Sequence, residues 1–364
     1  MTPRLLSSVL MLGLGLAAIF AAHAAEPVST PEASKALVNA SGAILRGSSA
    51  DALAELRKVP AEAFAGEEAG IRSCMIERFE AASPPPVSTD ITEPFVRDVL
   101  KLYQDYWWQA LRRPDDRVAL GVELETGLRK LLGPAGTAPK DLDALEDAME
   151  VELEKRGYHA QLGTVTPLHN AMLWRTQTSR EFEVPLLDGP YRVRAELLDD
   201  FATIGWSQFG SCNKVANGGW ATEEALYAVL PRYKEGIEGE SFQIVFLGHE
   251  GQHMADKNRF PGMTNWELEY RAKLAELVRA AGALSAKRLQ SFITAQGNSP
   301  DAAHPYANTR VIADLTTKLG QSPDTVSAPV LQQAATELLR ADSARRQAMR
   351  DVSPQNASKP TAAQ

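Results

Sequence analysis

Ser241-Phe242-Gln243-Ile244-Val245-Phe246-Leu247-Gly248-His249-Glu250-Gly251-Gln252-His253 is the stretch on which the fold turns. Its spacing predicts a helix over 241–256, with Ser241 as its N-cap. His249 and His253 are four residues apart, so both imidazoles lie on one helical face, one turn apart, where they can hold a single ion. Glu250 stands beside His249 and projects next to that ion, where a carboxylate can take a proton from water. Phe242, Val245 and Phe246 supply an apolar approach. Gly248 and Gly251 each cost a helix about 1 kcal/mol relative to Ala. They point to something packed close against this helix, a strand or a substrate backbone, or to helix packing with no functional purpose.

A catalytic zinc needs a third protein ligand and an open position. After a turn at Phe260-Pro261-Gly262, a second helix is expected over 264–284, capped by Thr264 or Asn265 and beginning Trp266-Glu267-Leu268-Glu269-Tyr270-Arg271-Ala272-Lys273. Residues 245–276 resemble the gluzincin-type zinc metallopeptidases, in which HExxH is followed by a helix bearing a glutamate ligand. Glu269-Tyr270-Arg271-Ala272 matches the E-x-x-A form. The resemblance implies zinc held by His249, His253 and Glu269, with Glu250 as general base and a peptide bond as substrate. Such enzymes commonly use a downstream His or Tyr to hold the carbonyl oxygen; His304, Tyr306 and Tyr270 are the candidates, the first two in an expected loop. The chain departs from the pattern at Lys273, where many members carry an Asp that orients a histidine. The gap from motif to glutamate is also short, which makes Glu267 a rival ligand. The metzincin pattern fails because residue 259 is Arg. Asp256 stays on the same helix turn as His253, so a returning helix offers better geometry.

Around this unit, residues 25–90 read as Ala-rich helix broken at Pro84-Pro85-Pro86, 92–131 as helix, and 142–156 as helix. Tyr103, Tyr106, Trp107 and Trp108 read as core, and His159 and His169 as structural histidines. Glu181 to Leu198 reads as two strands around the turn Asp188-Gly189-Pro190. Trp220 to Leu230 reads as a strand or a short helix, the strand preferred. Helices are expected over 309–320 and 328–350. The expected fold is therefore α+β and predominantly helical. A helical region (25–180) precedes a catalytic unit with an active-site helix and a small sheet (181–325), which the resemblance makes zincin-like. A helix and polar tail (326–364) follow.

Arg4, the apolar run Leu5–Ala22 and Ala22-His23-Ala24 form the pattern of a cleaved, bacterial-type signal peptide over 1–24. It implies a periplasmic or secreted protein without a membrane anchor. In an oxidising compartment the two cysteines, Cys74 and Cys212, form either one disulfide or two separate buried thiols. The net charge of -8, without a clustered basic face, argues against nucleic acid as partner. The expected partner is a peptide or protein substrate. A non-protein amide such as cell-wall material, and a non-catalytic metal-binding role, are the alternatives.

Overall fold

Thr30 and Ser48 cap the first two helices through their side-chain oxygens, which accept from Ala33 N–H and Asp51 N–H. The computed structural model describes residues 28–352, so the expected signal peptide and the end of the polar tail lie outside the described residues. Helices α1 (Pro31–Leu45), α2 (Ser49–Arg57), α3 (Gly66–Glu80), α4 (Pro94–Arg112), α5 (Arg117–Leu132) and α6 (Leu142–Glu154) form the N-terminal part. Trp107, Tyr103, Leu37 and Ile44 are fully buried in its core. Trp107 is satisfied by donating its ring N–H to His169 O at 2.8 Å. The aromatic cluster is packing, as its helical spacing implied.

The sheet contains β1 (His159–Val165), β2 (Leu168–Val184), β3 (Tyr191–Thr203), β4 (Gly219–Ala221) and β5 (Leu226–Val229), with the short helix α7 (Trp206–Gly210) between β3 and β4. The strand order is β1-β2-β3-β5-β4, antiparallel except where β5 runs parallel to β3. The hairpin expected around Asp188-Gly189-Pro190 is present, with Val184 opposite Tyr191. Strand structure begins at His159, however, inside the region read as helical. The segment Leu168 to Trp174 is buried on both faces, so it lacks the alternation that marks a half-exposed strand. Cys74 and Cys212 form a disulfide that ties α3 to the segment after α7.

The motif lies in α8 (Leu247–Arg259), followed by α9 (Asn265–Arg279), α10 (Gly282–Thr294), α11 (Ala303–Leu319) and α12 (Ala328–Val352). Ser241 is not a cap. The chain enters α8 through a π-helical segment, Ser241–Phe246, preceded by Glu240. The helix expected over 264–284 is two, because Ala280 turns extended and Gly282 takes φ +48°. Helix α11 starts six residues earlier than expected, which puts His304 and Tyr306 on its first turn rather than in a loop. Pro305 is no obstacle there, since first-turn N–H groups have no intrahelical acceptor. Among the described residues no helix is long and apolar enough to cross a membrane.

Two packings position α8. Val184, Val193, Ala195, Leu226 and Ala228 of the sheet meet Phe242, Phe246 and Leu247 in one apolar cluster. A Cβ on Gly251 would lie 3.2 Å from both Val184 methyl groups, so the glycine admits the end of β2. On the other side, the fully buried Arg271 of α9 donates from Nε to Asp256 of α8 at 2.8 Å and from Nη1 to Asp342 of α12 at 2.9 Å. Its Nη2 reaches Ser343 at 3.1 Å and Asp188 in the hairpin turn at 3.4 Å. One guanidinium thus joins three helices and the sheet. Replacing it with the similarly long Met leaves the Asp256 carboxylate buried without its partner. Arg271→Met is expected to lower unfolding stability by about 3–5 kcal/mol, read by denaturant titration. A loss below about 1 kcal/mol would show that the network braces nothing.

Candidate metal centre

The helix pair α8 and α9 brings three ligand-type side chains together. His249 and His253 project from adjacent turns of α8, and Glu269 projects from α9 toward them; all three are buried. The Nε2 atoms of the two rings are 2.9 Å apart. Glu269 Oε1 is 3.2 Å from His253 Nε2, and Oε2 is 3.4 Å from His249 Nε2. Two imidazole lone pairs facing each other at such a distance require a proton on one ring or a cation between them. A tetrahedral ion with bonds of about 2.0–2.1 Å places its ligand atoms about 3.3 Å apart. The three observed separations scatter about that value.

The surrounding groups fix the chemistry of these atoms. His249 Nδ1 lies 2.7 Å from Glu276 Oε1, two turns along α9 from Glu269. Glu276 is fully buried and its other oxygen accepts from Arg288 Nε. This contact holds the proton of His249 on Nδ1 and leaves Nε2 free as a ligand, the usual arrangement around a metal-bound histidine. Burial disfavours charge on His249, but the facing carboxylates of Glu269 and Glu276 outweigh burial and push its pKa up to about 9, so a metal ion entering here would displace the proton on Nε2. Burial pushes the His253 imidazole down, the charge of His249 adds to that, and Glu269 only partly offsets it. Burial opposes ionisation of Glu269 too, yet the histidines around it hold its carboxyl far below the usual range. Lys273 Nζ, itself buried, is 3.3 Å from Glu269 Oε2.

Two atoms here lack the hydrogen bond that burial normally demands. Glu269 Oε2 has no aligned donor, although the Nδ1 atom of His304 comes within 2.7 Å of it, and His253 Nδ1 has no partner. A buried carboxylate oxygen whose contacts are long or misaligned, beside two ring nitrogens, fits a site able to receive a cation.

The sequence-derived candidates divide clearly. Glu267 is turned away from the histidines. It closes a capping box with Thr264 and binds Arg346 at 3.0 Å. Asp256 is committed to Arg271. Tyr270 donates to Asp314 at 2.9 Å, which removes it as an oxygen-holding candidate. The exposed His304 reaches the cluster from α11, whereas Tyr306 packs edge-on against Trp266, ring centroids 5.2 Å apart. Glu250 is half-buried and, among the described residues, makes no hydrogen bond or ion pair; its charge is felt at His253 and Tyr233. Gly248 leaves room for Arg279, whose Nη1 donates to Gln243 O in the π-helical segment at 2.9 Å.

No protein-family model, curated protein or solved structure matches this chain. The site therefore rests on its own geometry. Glu276 is not among the residues the sequence motif marks, although an acid seven residues past Glu269, between Ala275 and Leu277, falls on the same face of α9 and interrupts an apolar run. Glu276→Gln keeps the size of the side chain and removes the carboxylate that orients His249. It is expected to weaken zinc binding about 10–100-fold in a chelator competition, with the helical signal unchanged. Equal affinity in parent and variant would remove Glu276 from the site.

Proposed function

We propose that this chain is an exported zinc-dependent metallohydrolase of gluzincin-like, zincin-type organisation, acting on peptide bonds. The observation that carries the reading is the trio of ligand atoms on His249, His253 and Glu269, spaced as the edges of one coordination sphere. The donor set of two imidazoles and a carboxylate suits zinc in a catalytic rather than a structural role, because structural zinc sites are closed by a fourth protein ligand. Zinc held there supplies a Lewis acid and lowers the pKa of water toward about 7. Export is supported by the N-terminal sequence pattern and by the disulfide, since disulfides persist in oxidising compartments.

The chain's own groups supply the remaining work. The Glu250 carboxylate, which makes no hydrogen bond or ion pair among the described residues, takes the proton of the attacking water and passes it to the leaving nitrogen. His304, exposed on the first turn of α11 beside Glu269, is placed to donate to the carbonyl oxygen as charge develops on it. Glu276 and Lys273 hold His249 and Glu269 in orientation. The test is metal analysis of parent and Glu250→Gln protein, together with cleavage of a peptide library. Stoichiometric zinc in both is expected, with cleavage about 10²–10⁴-fold slower in the variant. A zinc-loaded parent that cleaves no peptide, or a variant as fast as the parent, would overturn the reading.

A further inference from the structure

A second recessed site lies on the opposite face of the sheet from the metal helix. Side chains alternate along β5, so Leu226 and Ala228 join the apolar cluster with Phe242 and Phe246, while Tyr227 points the other way. There it stacks on Trp220, with centroids 5.0 Å apart and rings 2° from parallel. Trp174 of β2 lies on the same side and stacks on His159 of β1 at 5.9 Å. These rings form one wall of a cleft of about 600 Å³, the size of a small-molecule or peptide site.

The other wall is α6. Asp147, Glu150 and Glu154 follow one another at spacings of three and four, so they form a single stripe on that helix, and all three line the cleft. None of them makes an ion pair among the described residues, and no Lys or Arg lines the cleft. Glu150 is held in place by Leu162 N–H, which donates to its Oε1 at 2.6 Å. Burial first, and then the charge of Asp147, push its carboxyl above the ordinary range against that hydrogen bond. Uncompensated carboxylates thus face aromatic rings across a recess. The negative faces of the rings and the carboxylates attract the same partner, a cation. An anion is repelled from both walls. A neutral or apolar ligand would leave the acidic stripe unmatched.

We propose that this cleft is a binding site for organic cations, recognising the ammonium or guanidinium groups of a polyamine or of basic peptide side chains. The site is independent of the metal centre, since it uses the other face of the sheet. Isothermal titration of the full chain with spermidine and, separately, with a short lysine peptide distinguishes the two sources. Saturable binding of either is expected, about tenfold weaker in the Asp147→Asn/Glu154→Gln double variant. Trp220→Ala is expected to weaken it similarly, with the melting temperature of each variant checked beside the parent. The exposed double substitution preserves the test if the tryptophan variant unfolds. No saturable binding of either probe, or equal affinity in the double variant, would overturn the proposal. So would a neutral oligosaccharide binding as tightly as the cations.

Discussion

The antiparallel contact of α8 with α9 is the constraint on which the candidate centre depends. Two histidines on one helix define only half a coordination sphere. The third ligand must be carried in by a neighbouring helix and held to within a fraction of an ångström. Two residues past Glu269, the candidate third ligand, Arg271 fixes α9 by joining it to Asp256 of α8, Asp342 of α12 and Asp188 of the hairpin turn. A guanidinium is suited to the task because its fork of donors engages several carboxylates in fixed directions. The cost of burying that charge is offset only while all of its partners remain.

The three candidate ligands sit in a graded environment. Glu276 and Arg288 extend the chain of charges behind His249, so one histidine is firmly oriented. His253 lacks such a partner at Nδ1 and depends on Glu269 and on packing. Lys273 occupies the position at which the gluzincin resemblance anticipates an acid. It contacts the ligand carboxylate directly and lies 5.2 Å over the Phe292 ring. The acid that contacts His249 in this chain is Glu276, one turn further along α9.

What could be read in advance follows from the range of each interaction. His249, Glu250 and His253 belong to one helix, so a local period places them together. Glu269 follows from a helix that turns back after Phe260-Pro261-Gly262, a short loop with few alternatives. The choice between Glu269 and Glu267 required knowing that Thr264 closes a capping box, which directs Glu267 toward its own N-terminus. The first part of β2, Leu168 to Trp174, was hidden because burial on both faces erases its alternation, whereas its end from Glu181 was legible as strand. The pairing of Cys74 with Cys212 spans 138 residues and leaves no local trace. His304 was read as lying in a loop between helices, whereas it stands on the first turn of α11, where Pro305 is tolerated because first-turn N–H groups need no intrahelical acceptor. His159, read as structural, stacks on Trp174 beside the second cleft, a contact that depends on the pairing of β1 with β2.

The central claim, that His249, His253 and Glu269 jointly bind one zinc, is tested most directly by X-ray absorption at the zinc edge on protein loaded with one equivalent of the metal. The account predicts two imidazole nitrogens at about 2.0–2.1 Å and oxygen ligands at about 2.0–2.2 Å, with no sulfur. A spectrum showing oxygen ligands only, without the imidazole shells, would contradict it.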